Sequence, residues 1–123
     1  MATLEVTGRL KFSPSGANVE DFDTGLIKVS ITTTSDNYQG WKTQAVGTSW
    51  EQVVLPADVA SVGYIIVKNN DSTNFVSLAD VTSGPALVDV GPKEIAIFEL
   101  SSAALWALAD TAAVNIQYAV FSV

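Results

Sequence analysis

Apolar and polar residues alternate with a period of two along most of the chain, and this period limits the fold more than any other feature. In the first such segment, residues 3–12, four apolar residues share one parity: Leu4, Val6, Leu10 and Phe12. Successive side chains of a β-strand point to opposite faces of a sheet, so the alternation predicts a strand with one buried face. Gly8 falls on the apolar parity, where it predicts a bulge or a close approach of the backbone.

The same period returns in the segments LIKVSITTT, EIAIFEL and AVNIQYAVFSV, and each of them predicts a further strand. The segment WKTQAVGTSWEQVVL predicts two short strands on either side of Gly47. The C-terminal segment predicts an inner strand whose apolar parity faces the core: Val114, Ile116, Tyr118 and Val120.

Residues 63–78, GYIIVKNNDSTNFVSL, hold two apolar runs on either side of a short polar segment. This arrangement predicts a β-hairpin, because Asn and Asp tolerate the backbone conformations of turns. A hairpin alone is only marginally stable in water, so we expect the other strands to supply a partner sheet. We expect the core to include residues from several strands: Ile66, Phe75, Ile97 and Ile116.

The whole pattern predicts an all-β fold, an antiparallel β-sandwich of about eight strands with jelly-roll or immunoglobulin-like topology. A small orthogonal barrel is the alternative. The Ala- and Leu-rich segment SSAALWALADTAA predicts one short helical turn. We expect one domain over residues 1–123, in which the acidic segment 13–25 forms a solvated loop or an extended arm that reaches a neighbour.

Composition argues against several classes of function. The chain has no cysteine and no histidine, which removes disulfides, thiol nucleophiles and the usual zinc and haem ligands. A formal net charge of −7 disfavours binding to nucleic acid or to an anionic membrane. No apolar run approaches the roughly 20 residues of a membrane-spanning helix. The N-terminal residues carry no signal-peptide pattern, so we expect a protein made in the cytoplasm that stays there or leaves by cell lysis.

Two groups of residues are candidate binding sites, and each also has a simpler structural explanation. Oxygen-bearing side chains around one loop offer calcium ligands, although an EF-hand's glycine and glutamate are missing: Asn69, Asn70, Asp71, Asn74 and Asp80. A turn needs the same residue types. Four aromatic residues suit either a sugar-binding platform or, more commonly in a sandwich, the core or a subunit interface: Tyr38, Trp41, Trp50 and Trp106.

The acidic segment is a third candidate, because Glu20, Asp21 and Asp23 are the residue types that glycoside hydrolysis uses in pairs. A solvated acidic face explains them more simply, since the sequence offers no buried partner. It also holds no Gly-rich phosphate loop, serine elbow or metal-spaced cluster. We therefore expect no enzymatic activity and no cofactor.

The C-terminal half carries three motifs in order: GYIIVKNNDSTNFVSL, GPKEIAIFEL and ALADTAAVNIQYAVFSV. Their order resembles a pattern of small structural proteins of tailed bacteriophages, and the resemblance covers residues 63–123. The resemblance implies a virion component, either a capsid decoration (cement) protein or a head, neck or tail accessory protein. It implies a location on the capsid surface after synthesis in the host cytoplasm, and it implies no catalytic residues.

Apolar residues also fall on the parity that we expect to face outward: Ala96, Phe98, Ala119, Phe121 and Val123. Either these strands are covered on both faces within the domain, or their outer face packs against another subunit, which we favour for a small domain. The predicted interface comprises five residues: Phe98, Phe121, Val123, Trp41 and Trp50. The expected partners are further copies of the chain, as a homotrimer, and the major capsid protein.

Two functions follow from these observations. The first is a non-enzymatic capsid decoration protein that stabilises contacts between capsomers of a bacteriophage particle. The alternative is a carbohydrate- or receptor-binding β-sandwich of a phage tail or adhesin, built on the region of Trp41 and Trp50.

Overall fold

The computed structural model describes residues 2–12, 20–31, 38–55 and 62–121. Contacts divide the chain into two compact units, Met1–Thr32 and Thr33–Val123, which we call the N-terminal and the C-terminal unit. The regular structure of the described residues consists of β-strands, which confirms the predicted all-β class. The expectation of a single domain stays a prediction. None of the described segments forms a helix long and apolar enough to cross a bilayer.

The N-terminal unit is built from four strands that pair as two antiparallel couples, β1 with β4 and β2 with β3. The strands are β1 (Ala2–Val6), β2 (Arg9–Phe12), β3 (Glu20–Asp23) and β4 (Ile27–Ile31). The two couples follow each other along the chain, so we call them together the ribbon. The prediction of a loop over residues 13–25 is wrong for Glu20–Asp23, which forms β3, while residues 13–19 lie outside the described part of the chain.

A β-bulge separates the two couples of the ribbon. Val6 lies opposite Ile27 and Arg9 lies opposite Asp23, so two residues on one side face three on the other. At this point the carbonyl oxygen of Gly8 accepts a hydrogen bond from the Thr24 amide at 3.0 Å. The irregularity that Gly8 predicts is therefore present, and the extra residue belongs to the opposite strand.

The described residues of the C-terminal unit form an antiparallel β-sandwich of eight strands. They are β5 (Tyr38–Val46), β6 (Glu51–Gln52), β7 (Val62–Asn69), β8 (Val76–Ala79), β9 (Val88–Val90), β10 (Ile95–Ser102), β11 (Trp106–Ala109) and β12 (Val114–Phe121). One four-stranded sheet has the order β10-β7-β12-β5 and the other has the order β6-β11-β8-β9. The chain changes sheet at every connection except that between β8 and β9. The predicted sandwich is confirmed.

The core lies between the inner faces of the two sheets. Its largest fully buried side chains come from both sheets and the segments next to them: Val46, Val53, Ile65, Val67, Val76, Leu78, Val90, Leu105, Val114, Ile116 and Tyr118. The predicted inner parity of β12 is confirmed, because its four apolar residues, Val120 included, are all buried. The Tyr118 hydroxyl donates a hydrogen bond to the Val54 carbonyl at 2.6 Å, which satisfies the one polar atom of this core side chain.

The predicted hairpin over residues 63–78 is wrong, because β7 and β8 lie in different sheets. Between them the chain crosses the sandwich, and β8 pairs with β11 and β9 instead. The polar segment between two apolar runs does predict the turn. It carries no information about whether the chain returns in the same sheet or passes to the facing one.

The predicted facing of β10 is also wrong. Ala96 and Phe98 pack against the core, whereas Ile97 is 46% exposed on the opposite face. Among the predicted core residues Ile116 is buried, but Ile66 is only half-buried and Phe75 is 37% exposed. The reason is the register with β7, whose inner positions hold residues 65 and 67 and leave residue 66 outside together with Ile97.

The predicted helical turn in residues 101–113 is wrong as well. This segment contains the end of β10 and the whole of β11, in which Ala107 and Ala109 are buried and Trp106 and Leu108 are half-buried. The alternation of burial is that of a strand. Packing against the core therefore overrides the weak helical preference of Ala and Leu.

Candidate functional site

The sheet β10-β7-β12-β5 has an outer face, directed away from the core, and its middle is apolar across all four strands. Ile97 lies opposite Ile66, and Ile66 lies opposite Ala119 on its other side. Trp41 completes the row at a second β-bulge. There, Lys42 pairs with Tyr118 and Gln39 with Val120, so residues 40 and 41 together face residue 119. We call Ile97, Ile66, Ala119 and Trp41 the apolar row.

Large apolar side chains of this outer face are open to solvent. Ile95 is 59% exposed, Trp41 is 53% exposed and Ile97 is 46% exposed. Tyr64 and Phe121, which lie opposite each other beside the apolar row, are half-buried. A sheet face in water normally carries polar side chains, as the exposed positions of β1 do with Thr3 and Glu5. The outer face is therefore suited to contact another protein surface.

Two charged residues flank the apolar row on opposite sides. Lys68 lies two residues beyond Ile66 along β7, between Ile95 on β10 and Gln117 on β12. Glu99 lies two residues beyond Ile97 along β10, opposite Tyr64. Both charged side chains are exposed. The outer face thus has a positive end and a negative end with apolar residues between them.

The outer face contains two of the five predicted interface residues, Trp41 and Phe121. Phe98 lies on the inner side of β10 and packs against the core, so its expected outward position is wrong. Trp50 packs against the turn after β8, because a Cβ atom at Gly84 would lie 3.2 Å from its ring atom Cζ2. Val123 lies outside the described residues.

The four aromatic residues proposed for a sugar platform do not share one surface. Trp41 lies in β5, in one sheet of the sandwich. Trp106 lies in β11 of the other sheet, and Trp50 precedes β6, which pairs with β11. Tyr38 belongs to β5 through its backbone pairing with Phe121.

The oxygen-bearing loop after β7 uses its polar groups for turn contacts. The Asn69 side chain is buried and donates to the carbonyl oxygens of Asn74 and Val90 at 2.9 and 3.0 Å. The Asp71 carboxylate accepts from the Asn74 and Thr73 amides at 2.5 and 2.8 Å, and these bonds lower the pKa of Asp71. The Asn74 side-chain oxygen accepts from the Thr111 hydroxyl at 2.6 Å. These contacts match the simpler explanation of a turn.

The acidic residues of β3 are likewise engaged locally. The Asp21 carboxylate accepts from the Arg9 side chain on the paired strand, with an Nε to Oδ1 distance of 2.8 Å. Asp23 accepts from the amide of Gly25 at 2.8 Å. Among the residues that the structure describes, no three acidic side chains gather as a metal site would require.

Sequence reasoning missed the isoleucines of the outer face, and one signal could have found them. Residues 64–67 are apolar at four consecutive positions, so both parities of β7 are apolar. A strand of this kind is covered on both faces. The core of the sandwich covers one face of β7, and the run indicates that the other face is also suited to a contact.

Comparisons of the chain with protein-family models, with curated proteins and with solved structures found no match.

Proposed function

We propose that the protein is a non-enzymatic structural component of a bacteriophage particle, a capsid decoration protein that stabilises contacts between capsomers. In this proposal it is made in the host cytoplasm and works on the capsid surface. The observation that carries the proposal is the exposed apolar surface on the ribbon and on the outer face: Phe22, Leu26, Ile27, Ile95, Ile97 and Trp41. An exposed apolar surface of this kind marks a site of contact with another protein.

The order of the strands supports a jelly-roll topology, which we include in the proposal. The eight described strands form two four-stranded sheets, the chain changes sheet at every connection but that between β8 and β9, and the first two strands, β5 and β6, lie in different sheets. In an immunoglobulin domain the first two strands share a sheet. Jelly rolls occur in viral capsid proteins and also in lectins and cupins, so the topology agrees with the proposal without selecting it.

The ribbon offers a second surface for attachment. Three of its large apolar residues are exposed: Phe22 in β3, Ile27 in β4, and Leu26 in the connection between these strands. A two-stranded ribbon is only marginally stable alone, and it gains stability when its apolar side chains pack on a partner or its edge pairs with a partner's strand. We assign this contact to the major capsid protein.

The charge of the protein agrees with an outer position on a particle. A net charge of −7 keeps free copies soluble and disfavours contact with the packaged genome. Many identical copies on one shell would raise the effective affinity of individually weak contacts.

Retention on empty capsids tests the function. The shells are assembled from the major capsid gene that the proposal expects beside this chain's gene, and an immobilised glycan panel serves as the competing target. We expect retention on shells and none on glycans. Retention on glycans alone would replace the proposal with the carbohydrate-binding alternative, and the absence of capsid genes beside this gene would also overturn it.

A ribbon variant sharpens the test. We expect Phe22→Ser with Leu26→Ser to weaken shell retention at least tenfold, because each serine removes an exposed apolar contact. Val81→Ser is the control, since Val81 is also an exposed apolar residue but lies in the loop after β8. Equal retention of both variants would remove the ribbon from the contact.

A further inference from the structure

The two charged residues of the outer face give it a self-complementary pattern. Lys68 and Glu99 lie on opposite sides of the apolar row, each two residues from it along a strand. Two residues of a strand span about 6.7 Å, so both charges lie at similar distances from the row. The described residues beside them at the same levels of β7, β10 and β12 are uncharged: Ile95, Gln117, Tyr64 and Phe121.

We propose that the outer face binds the same face of a second copy of this chain, around a twofold axis that runs along the apolar row. Such an axis places the apolar row of one copy on that of the other. It also turns the level that contains Lys68 onto the level that contains Glu99 of the second copy. Each dimer then contains two lysine–glutamate contacts, as an isologous interface requires.

The charges select a second copy over other occupants. At a net charge of −7, two copies repel each other at long range, so a contact between them needs locally opposed charges. The antiparallel superposition of the two faces supplies these, whereas a parallel one would place Glu99 on Glu99 and Lys68 on Lys68. A strongly acidic or basic partner would meet a like charge at one end of the face.

The outer face is small for a protein–protein interface. Four strands about 4.8 Å apart and three levels about 6.7 Å apart give a patch of roughly 19 by 20 Å. This is about half of the roughly 800 Å² per partner that stable complexes bury. We therefore expect a pairing that is weak in free solution and is favoured on a shell that concentrates the copies.

Sedimentation of the full chain between about 10 μM and 1 mM, with four charge variants, tests the pairing. We expect a monomer–dimer equilibrium in the native protein, at least tenfold weaker association for Lys68→Glu and for Glu99→Lys, and recovery in the double reversal. Glu99→Lys is the decisive variant, because it lowers the negative charge of each copy. General repulsion predicts that this variant associates more tightly, whereas the proposed contact predicts the opposite.

Lys42→Glu is the matched control for the lysine reversal, since Lys42 is an exposed lysine of the same sheet that pairs with Tyr118, on the inner parity. We expect it to weaken association much less than Lys68→Glu. Circular dichroism verifies that each variant is folded. A native protein that stays monomeric at 1 mM, one that forms trimers, or a double reversal that does not recover would overturn the pairing.

The pairing rests on the proposed function only for its setting on a particle. A protein that dimerises as expected but is not retained on shells keeps the pairing and loses the proposed function. A protein that is retained on shells but stays monomeric loses the pairing and keeps the function. The homotrimer expected from the sequence is a separate outcome of the same sedimentation measurement.

Discussion

Asn69 shows how one buried polar side chain fixes the crossing between the two sheets. It lies on the inner parity of β7 and is fully buried. Its amide nitrogen donates to the carbonyl oxygens of Asn74, before β8, and Val90, at the end of β9. Its side-chain oxygen accepts from the Asp71 amide at 2.8 Å. Three backbone groups of the opposite sheet and its loop thus depend on one residue, and no apolar side chain can replace these bonds.

We expect Asn69→Ala to lower the free energy of unfolding by about 2–3 kcal/mol, because buried carbonyl groups lose a donor. Asn69→Asp should cost more, since a carboxylate would face two carbonyl oxygens. Urea unfolding followed by circular dichroism measures both. Asn115→Ala is the control, because Asn115 is exposed on the neighbouring strand β12. A cost of Asn69→Ala no larger than that of the control would contradict the role of Asn69.

Asp71 makes a pH-dependent contribution at the same loop. Its carboxylate accepts hydrogen bonds from the backbone amides of Asn74 and Thr73, which lower its pKa. Because the folded pKa lies below the unfolded one, the stabilisation is complete above the unfolded pKa and is lost as the pH falls through the folded pKa. We expect an NMR titration of the Asp71 carboxyl carbon to give a midpoint below the usual value of about 3.9. A midpoint above that value would contradict the bonding.

Below about pH 4, we expect the free energy of unfolding of Asp71→Asn to decrease less steeply with falling pH than that of the native protein. The reason is that the substituted side chain has no carboxylate to protonate. Urea unfolding at several pH values measures this slope. Identical slopes for the native protein and the variant would show that the turn contacts of Asp71 are absent in solution.

At the scale of elements, the facing of β10 decides which of its apolar side chains are exposed on the outer face. The strand has apolar residues on both parities, and its two isoleucines, Ile95 and Ile97, face outward. Its inner parity is filled by Ala96 and Phe98, which pack against the core. Hydrophobicity alone gives no preference between these two arrangements, because one shift of register exchanges them.

A pair of adjacent substitutions measures this facing. Phe98→Ala should cost about 2–3 kcal/mol, because a half-buried aromatic ring leaves the core. Ile97→Ala should cost less than about 1 kcal/mol in the monomer, since its side chain is 46% exposed. Ile116→Ala, at a fully buried site, sets the upper reference of about 2–5 kcal/mol. The free energy of unfolding is measured by urea unfolding at low protein concentration. If Ile97→Ala costs more than Phe98→Ala, the assignment of the two faces of β10 is wrong.

The period of two predicted most strands because it is a local property of the sequence. It could not predict that β7 and β8 lie in different sheets, since the pairing of strands depends on distant segments. It could not predict β11 either, where burial of Ala107 and Ala109 decides the conformation. Of the candidate site, the sequence predicted Trp41 and Phe121 and missed the isoleucines, whose exposure follows only from the register between β7 and β10.

At the scale of the whole molecule, the core belongs to one unit. Among the residues that the structure describes, those of the buried cluster all lie between Val46 and Val120, within the C-terminal unit. The described part of the ribbon has paired backbone and two exposed ion pairs, Arg9 with Asp21 and Lys28 with Glu5, and exposed pairs contribute little to stability. The two units therefore differ in how they are stabilised. Under the proposed function, the C-terminal unit contains the core and the ribbon contacts the shell.

We expect a chain of residues 33–123 to fold, with a β-type circular dichroism spectrum and a free energy of unfolding within about 1 kcal/mol of the full chain, because the whole buried cluster is retained. Under the proposals above, this chain should still dimerise through its outer face and should lose retention on empty capsids, because the ribbon is missing. Urea unfolding, sedimentation and capsid retention measure the three properties separately. An unfolded product would mean that the sandwich needs the ribbon, and undiminished retention on capsids would place the shell contact in the C-terminal unit.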